Sequence, residues 1–198
     1  GYITTPEKIP ENPAKRDFII SKKTAEKSGS PKRNIHDKPV EITGKARVIN
    51  KDDIDTDMIF HNRYLTITDM NEMGKYTFDN LNGYEDFSKR TEEGDILISG
   101  KNFGSGSSRQ QAVDCFISLG VRVIVAKSFG AIYERNAINA GLPIMICKEI
   151  DHLELVDENK IKVNFATGLI ENMTKNTKVK AEPFSEVQME IYQNGGLF

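Results

Sequence analysis

Cysteine is scarce in this 198-residue chain, which carries Cys115 and Cys147 and no others. Two unpatterned cysteines suit a reducing compartment. They form no CxxC metal knuckle, and by themselves they are too few to ligate an iron–sulfur cluster. Long apolar runs are missing too. None nears the ~18 residues a membrane-spanning helix needs, and no signal-peptide pattern is visible, so the expectation is a cytoplasmic protein. Charge of one sign is not in surplus: 27 Lys and Arg face 29 Asp and Glu, a formal charge of −2. That balance leaves no electrostatic footprint for nucleic acid or an anionic membrane. With 38% apolar and 28% charged residues, the chain reads as an ordinary globular protein. It is long enough for one domain with appendages and too short for two full cores.

The first forty residues differ from the rest. They hold Pro6, Pro10, Pro13, Pro31 and Pro39, and nine basic residues against five acidic ones, while the remainder carries 18 against 24. Only Phe18-Ile19-Ile20 interrupts them with an apolar patch. The expected division is an extended arm or linker over residues 1–40 and a globular domain over 41–198. The chain begins at Gly1 without a methionine, which keeps open a piece of a longer enzyme.

From Val40 onward the patterning is that of an α/β fold. "VEITGKARVIN" alternates as one or two strands around Gly44, and "DDIDTDMIFHNRYLTITD" reads as an acidic turn and an irregular loop. Met70 to Asn80 is expected to be a short helix with Asp69 as its N-cap. "ILISG", "VRVIVAKSFG" and "LPIMIC" are compact apolar strands. Between them lie two helical stretches, "RQQAVDCFISLG", stopped by Gly120, and "AIYERNAINAG", stopped by Gly141 ahead of Pro143. Two consecutive strand–helix–strand units imply a parallel core with right-handed crossovers. The tail alternates around turns at Gly168 and Asn176, as antiparallel strands do, and "FSEVQMEIYQNGG" closes it as a helix.

The stretch "GKNFGSGSSRQQA" between the first strand and helix of this core carries the chemistry. A small-residue turn at a helix N-terminus is an anion site in waiting, because the first backbone N–H groups are unpaired and the dipole favours negative charge. Arg109 stands in the first turn, where the dipole disfavours a cation unless an anion is bound nearby. A structural turn capped by serines is the plain alternative. Nucleotide readings fail on sequence. A P-loop lacks its lysine, and a dinucleotide fingerprint lacks the third glycine, where Arg109 stands, and the acid some twenty residues on, where Lys127 and Ser128 stand.

Two segments together carry a resemblance. "KNFGSGSSRQQAVDCFISLGVRVIVAKSFGAIYERNAINAGLPIM" resembles the swivel domain of the aconitase superfamily, and within it the separate small subunits of isopropylmalate isomerase and homoaconitase. The upstream "DDIDTDMI…RYL" matches a second signature of those small subunits. The resemblance implies a swivelling β/β/α domain with the parallel core above, flanking antiparallel strands and the N-terminal arm as an extension. It implies a hydro-lyase that isomerises a hydroxy di- or tricarboxylic acid by dehydration and rehydration. The [4Fe–4S] cluster would be carried by a large partner subunit and none by this chain. On the matched motif the base falls on Ser107, its oxyanion and substrate contact on Ser108, and a carboxylate clamp on Arg109. Asp57 matches the acid the family places beside the base. An alkoxide base is usable only where N–H groups, a helix terminus and a guanidinium hold the anion away from water.

The chain departs from the family at Gln110-Gln111, where relatives carry Glu-His, and at Ser105, where they vary. Specificity is implied to reside after "RYL", at Thr66 and Ile67, which offer no cation for a second carboxylate and favour the isopropyl group of isopropylmalate. Arg63 is a candidate carboxylate ligand, or else a loop-anchoring ion pair. His61 is a candidate contact with a solvated loop position as its alternative, and His36 and His152 read as surface. Tyr133, Glu134, Arg135 and Asn136 fit a helix surface or the face against the large subunit. Three alternatives remain open at this stage. They are a homoaconitase, aconitase-like or substituted-malate enzyme, the C-terminal domain of a single-chain aconitase, and a non-catalytic module binding a small acid.

Overall fold

A computed structural model describes residues Lys38–Leu197. The arm expected for residues 1–40 therefore lies, but for its last three residues, outside the described residues.

Strand β1 (Glu41–Ile49) is followed by three one-turn helices, α1 (Thr56–Ile59), α2 (Met70–Met73) and α3 (Phe87–Arg90). The parallel core comes next: β2 (Ile96–Ser99), α4 (Gln111–Ser118), β3 (Val123–Ala126), α5 (Ala131–Asn139) and β4 (Ile144–Ile146). The tail is β5 (Lys160–Asn164), β6 (Leu169–Asn172), β7 (Thr177–Lys180) and α6 (Glu186–Asn194). All strands join one sheet in the order β4-β3-β2-β1-β5-β6-β7. The pairings from β1 to β4 are parallel and those from β1 to β7 antiparallel.

β1 is the seam. Its first half, Glu41–Lys45, pairs antiparallel with β5, and its second half, Ala46–Ile49, pairs parallel with β2. Gly44 sits at the change of partner because a Cβ there would lie 2.2 Å from the Gly94 carbonyl oxygen. The residues read around Gly44 are thus one strand with two partners. Buried Arg47, just past the switch, donates to Asp95 at 2.5 Å and also pairs with Glu158, so its charge does not stand alone in the interior.

The runs "ILIS" and "VIVA" are buried along their whole length, as expected for central parallel strands covered on both faces. Alternate residues serve opposite cores. Leu97 and Ile124 pack with α4 and α5, while Ile96, Ile98, Val123 and Val125 pack with the tail. The helical face of α4 follows from Ala112, Val113, Cys115 and Phe116, all fully buried. Phe78, Phe87, Phe103 and Phe116 meet in edge-on and tilted contacts with centroids 4.9–6.4 Å apart. Each such pair adds roughly 0.5–1.5 kcal/mol beyond burial.

Two expectations are corrected. The helix predicted over Met70–Asn80 is a single turn, capped by the Asp69 carboxylate on the Asn71 amide, that continues as a 3-10 turn over Gly74–Tyr76. Gly74 stops the regular helix where the Ser118 side chain accepts its N–H at 3.0 Å. The irregular loop expected after the acidic turn contains a capped helical turn, α1, and a 3-10 turn over Asn62–Tyr64.

Candidate active site

The loops that leave the C-terminal ends of β1, β2 and β3 are laced together by main-chain bonds. The segment 101–106 is clasped on one side by residues 53–56: Asp53 donates to Lys101 O at 2.9 Å, Gly104 to Ile54 O at 2.7 Å and Thr56 to Ser105 O at 2.9 Å. On the other side Phe103 donates to Ser128 O at 3.0 Å and Gly130 to Phe103 O at 2.8 Å. The fully buried Phe103 ring anchors the loop in the aromatic core. Gly104 is obligatory: φ is +74°, and a Cβ would lie 2.2 Å from Cγ of Tyr133.

This clasp delivers Ser107 and Ser108 to the exposed mouth of α4. The amides of Gly106, Ser107, Ser108, Gln110 and Gln111 have no acceptor among the described residues. They are free donors beside the positive end of the helix dipole, an arrangement that suits a carboxylate or a developing oxyanion. Ser107 Oγ lies 3.1 Å from Oγ1 of Thr56, and Ser108 Oγ accepts from Asn136 Nδ2 of α5 at 3.3 Å.

Arg109 turns toward α1. Its Nη1 donates to Asp57 Oδ1 at 2.9 Å, to Phe60 O at 2.6 Å and to Thr56 O at 3.3 Å. Nε and Nη2 are without a hydrogen-bond acceptor among the described residues, so one edge of the fork remains for an anion. Asp57 is held below the ordinary carboxylate range chiefly by that Arg109 bond. Burial opposes the shift, and the Asn62 amide and the neighbouring His61 assist it. Asp57 has no bond to Ser107; the group against the serine hydroxyl is Thr56. At the helix start, Gln110 Nε2 donates to Asp114 Oδ1 at 2.9 Å.

The loop after α1 is held differently. Arg63 Nη2 donates to Asp79 Oδ2 at 2.5 Å, Tyr64 Oη donates to the same oxygen, and the Tyr64 ring stacks on Tyr76 with centroids 4.2 Å apart. Arg63 is thus engaged in an ion pair that anchors its loop. His61 Nδ1 accepts the Arg63 amide at 3.1 Å, with Nε2 3.8 Å from Asp57. Thr66 is exposed, and Ile67 is partly buried against the core. His152 is exposed, and His36 lies outside the described residues.

Tyr133 is not on a helix surface: it is buried at 2% exposure and donates to Ala112 O at 3.2 Å. The bare Cα of Gly104 makes room for its ring. Thr56 and Asn136 are the site residues that sequence reasoning missed. Thr56 lay unremarked inside the "DTDMI" motif, and Asn136 lay among residues assigned to a surface.

No group of three or more His, Cys, Asp or Glu able to hold a metal exists among the described residues. Cys115 and Cys147 are buried free thiols, and burial pushes them up to about 12 and about 11. Such thiols are poor ligands, and these residues do not fit an iron–sulfur cluster.

The fold and loop define an aconitase-type domain. A family model described as the aconitase C-terminal domain matches residues 25–149. The 3-isopropylmalate dehydratase small subunit of Caldicellulosiruptor bescii is 45% identical over 147 residues, covering 74% of this chain and 86% of that one. Small subunit 1 of the Archaeoglobus fulgidus enzyme is 40% identical over 146 residues, covering 74% and 88%. The crystal structure of 3-isopropylmalate dehydratase from Methanocaldococcus jannaschii superposes with a TM-score of 0.73 at 36% identity, covering 79% of this chain and 90% of that one. The chain belongs to the 3-isopropylmalate dehydratase small-subunit family of aconitase-type proteins.

Proposed function

We propose that this chain is the small subunit of a 3-isopropylmalate dehydratase, active with a large partner subunit that carries the iron–sulfur cluster. The observation that carries this reading is Ser107, exposed at the mouth of α4 among unpartnered amides, in a chain whose relatives bear that name. Ser107 Oγ is the base. As an alkoxide it takes the proton from the carbon beside a carboxylate and becomes a hydroxyl. The C–H electron pair forms the double bond, and the hydroxyl on the adjacent carbon departs as water with a proton from an acid of the partner. Rehydration runs the same steps in reverse with the two carbons exchanged.

The free amides and Ser108 stabilise the charge that develops on the substrate carboxylate, and the open edge of Arg109 binds that carboxylate. Asp57 keeps Arg109 in place. Thr66 and Ile67 face the isopropyl group, and the pairing of Arg63 with Asp79 withholds a cation from that end of the site. Discrimination of this kind is worth roughly 1–3 kcal/mol. The swivel domain is residues 41–198, and residues 1–40 precede it in sequence. Two buried free thiols suit the reducing cytoplasm, and no helix among the described residues is long and apolar enough to cross a membrane.

Co-production of the chain with an iron–sulfur large subunit tests the reading. The pair is expected to interconvert the two isopropylmalates and either chain alone to be inactive. Tight binding of a small dicarboxylate by the isolated chain, without reconstituted activity, refutes it.

A further inference from the structure

Thr56 is the buried neighbour of the proposed base, and it has one place to send its proton. The residue is 2% exposed, and among the described residues its Oγ1 has a single hydrogen-bond partner, Ser107 Oγ at 3.1 Å. The main chain on both sides is fixed. Thr56 N donates to Ser105 O at 2.9 Å, and Thr56 O accepts from Phe60 N at 3.0 Å and from Arg109 Nη1 at 3.3 Å. Gly106 closes over the hydroxyl: a Cβ there would be 3.6 Å from Oγ1. As a β-branched residue on a pinned backbone, threonine has little freedom at χ1, so its hydroxyl oxygen is held against the serine.

We propose, on the reading that Ser107 is the base, that Thr56 is a positioning residue whose hydroxyl donates to the Ser107 oxygen and holds it as an anion. While Ser107 is protonated, either hydroxyl can donate. Once Ser107 has lost its proton, its oxygen only accepts, so Thr56 must donate and the bond becomes charge-assisted. A hydrogen bond that strengthens in the charged state favours that state, and the water-poor side of the loop increases its effect. Thr56 thereby works from beneath the serine, and the free amides work on the substrate above it. The charged and titratable groups on the surrounding elements are Asp55, Asp57 and His61 beside α1 and Arg109 on the loop itself. From α5 the serines are met by uncharged Asn136.

The test uses the assembled enzyme, this chain with its large subunit, and 2-isopropylmalate. Thr56→Val keeps the shape and removes the donor, while Thr56→Ser restores it. In Thr56→Val, kcat is expected to fall roughly 10–100-fold at neutral pH with KM unchanged. The pH at which kcat levels off should move upward in that variant, and Thr56→Ser should keep the parental profile. A merely structural role would lower the amount of assembled enzyme without moving the profile. If valine prevents assembly, Thr56→Ala is read by the same profile. The proposal is overturned if the donor-less variant, Thr56→Val or Thr56→Ala, levels off at the parental pH, or if its kcat is undiminished. Ser107→Ala separates the two readings. Full activity in that variant removes the base itself. An inactive Ser107→Ala beside an unaltered Thr56→Val removes Thr56 alone.

Discussion

The two loops that frame the site are built by opposite means. The serine loop is fixed through its main chain, clasped by residues 53–56 on one side and 128–130 on the other, with Phe103 sunk in the aromatic core. The loop carrying Arg63, Tyr64, Thr66 and Ile67 is fixed chiefly through side chains, and these converge on one carboxylate oxygen of Asp79. Main-chain bonds survive almost any substitution, whereas side-chain anchors change with the residue that provides them. A catalytic oxygen tolerates little displacement. A selecting surface has to vary between enzymes of one family. On the function proposed above, the division of labour between chemistry and selection follows which kind of bond holds each loop.

The sharpest way to break the comparison is Ser107→Ala in the assembled enzyme. Turnover should fall by about 10²–10⁴-fold with thermal stability unchanged, since the Ser107 side chain is exposed and buries no core volume. Steady-state kinetics beside a melting curve checks both halves. Next in size is Phe103→Ala, which removes the anchor of the rigid loop and should cost about 3–5 kcal/mol of stability, read by denaturant unfolding. If that variant is as stable as the parent, the serine loop is not held as described. The selecting loop should respond differently. Ile67→Ala should lower kcat/KM for isopropylmalate by roughly 10–200-fold and cost less stability than Phe103→Ala, because Ile67 is only partly buried against the core. Asp79→Asn weakens both the ion pair with the exposed Arg63 and the bond from Tyr64, so its effect on stability is expected to be about 1–2 kcal/mol. Its signature is altered discrimination toward substrates bearing an extra carboxylate, for which Arg63 is then free.

The smallest effect is one of pH. Asp57 has a folded-state pKa below its ordinary value of 3.8, caused first by the Arg109 bond. Its contribution is therefore present above that value and is lost as pH falls through the lower folded one. In Asp57→Asn the acid limb of the stability curve should flatten slightly relative to the parent. An identical acid limb in the two proteins would show that the Asp57–Arg109 pair does not stabilise the fold.

Legibility from sequence followed the same divide between local and distant determinants. β2, β3 and β4 were readable because double-sided burial writes itself as unbroken apolar runs, and α4 because Ala112, Val113 and Phe116 recur at helical spacing. Gly120 and Gly141 marked the helix ends through their positive φ values. Ser107 and Ser108 stood out as small residues at a helix start. What was not readable depends on contacts between distant residues. No periodicity tells a strand that it exchanges β5 for β2 halfway along, as β1 does. Thr56 is 51 residues from Ser107, and Asn136 is 28 from Ser108. Tyr133 looked like surface because its inward room is created by the missing side chain of Gly104. That one edge of Arg109 is held by the backbone carbonyls of Thr56 and Phe60 was not readable, because carbonyls carry no mark in the sequence.

Tyr192 of α6 donates to Pro39 O at 2.9 Å, and the Gln193 side chain bonds both backbone groups of Lys38. First and last stretches of the domain are thus buttoned together ahead of β1, whereas the serines lie beyond the other end of the parallel strands. The nine residues of β1 alone span roughly 30 Å. The fastening that closes the domain and the loop that bears the serines therefore share no contact among the described residues, and a change at one end reaches the other only through the length of the elements between them.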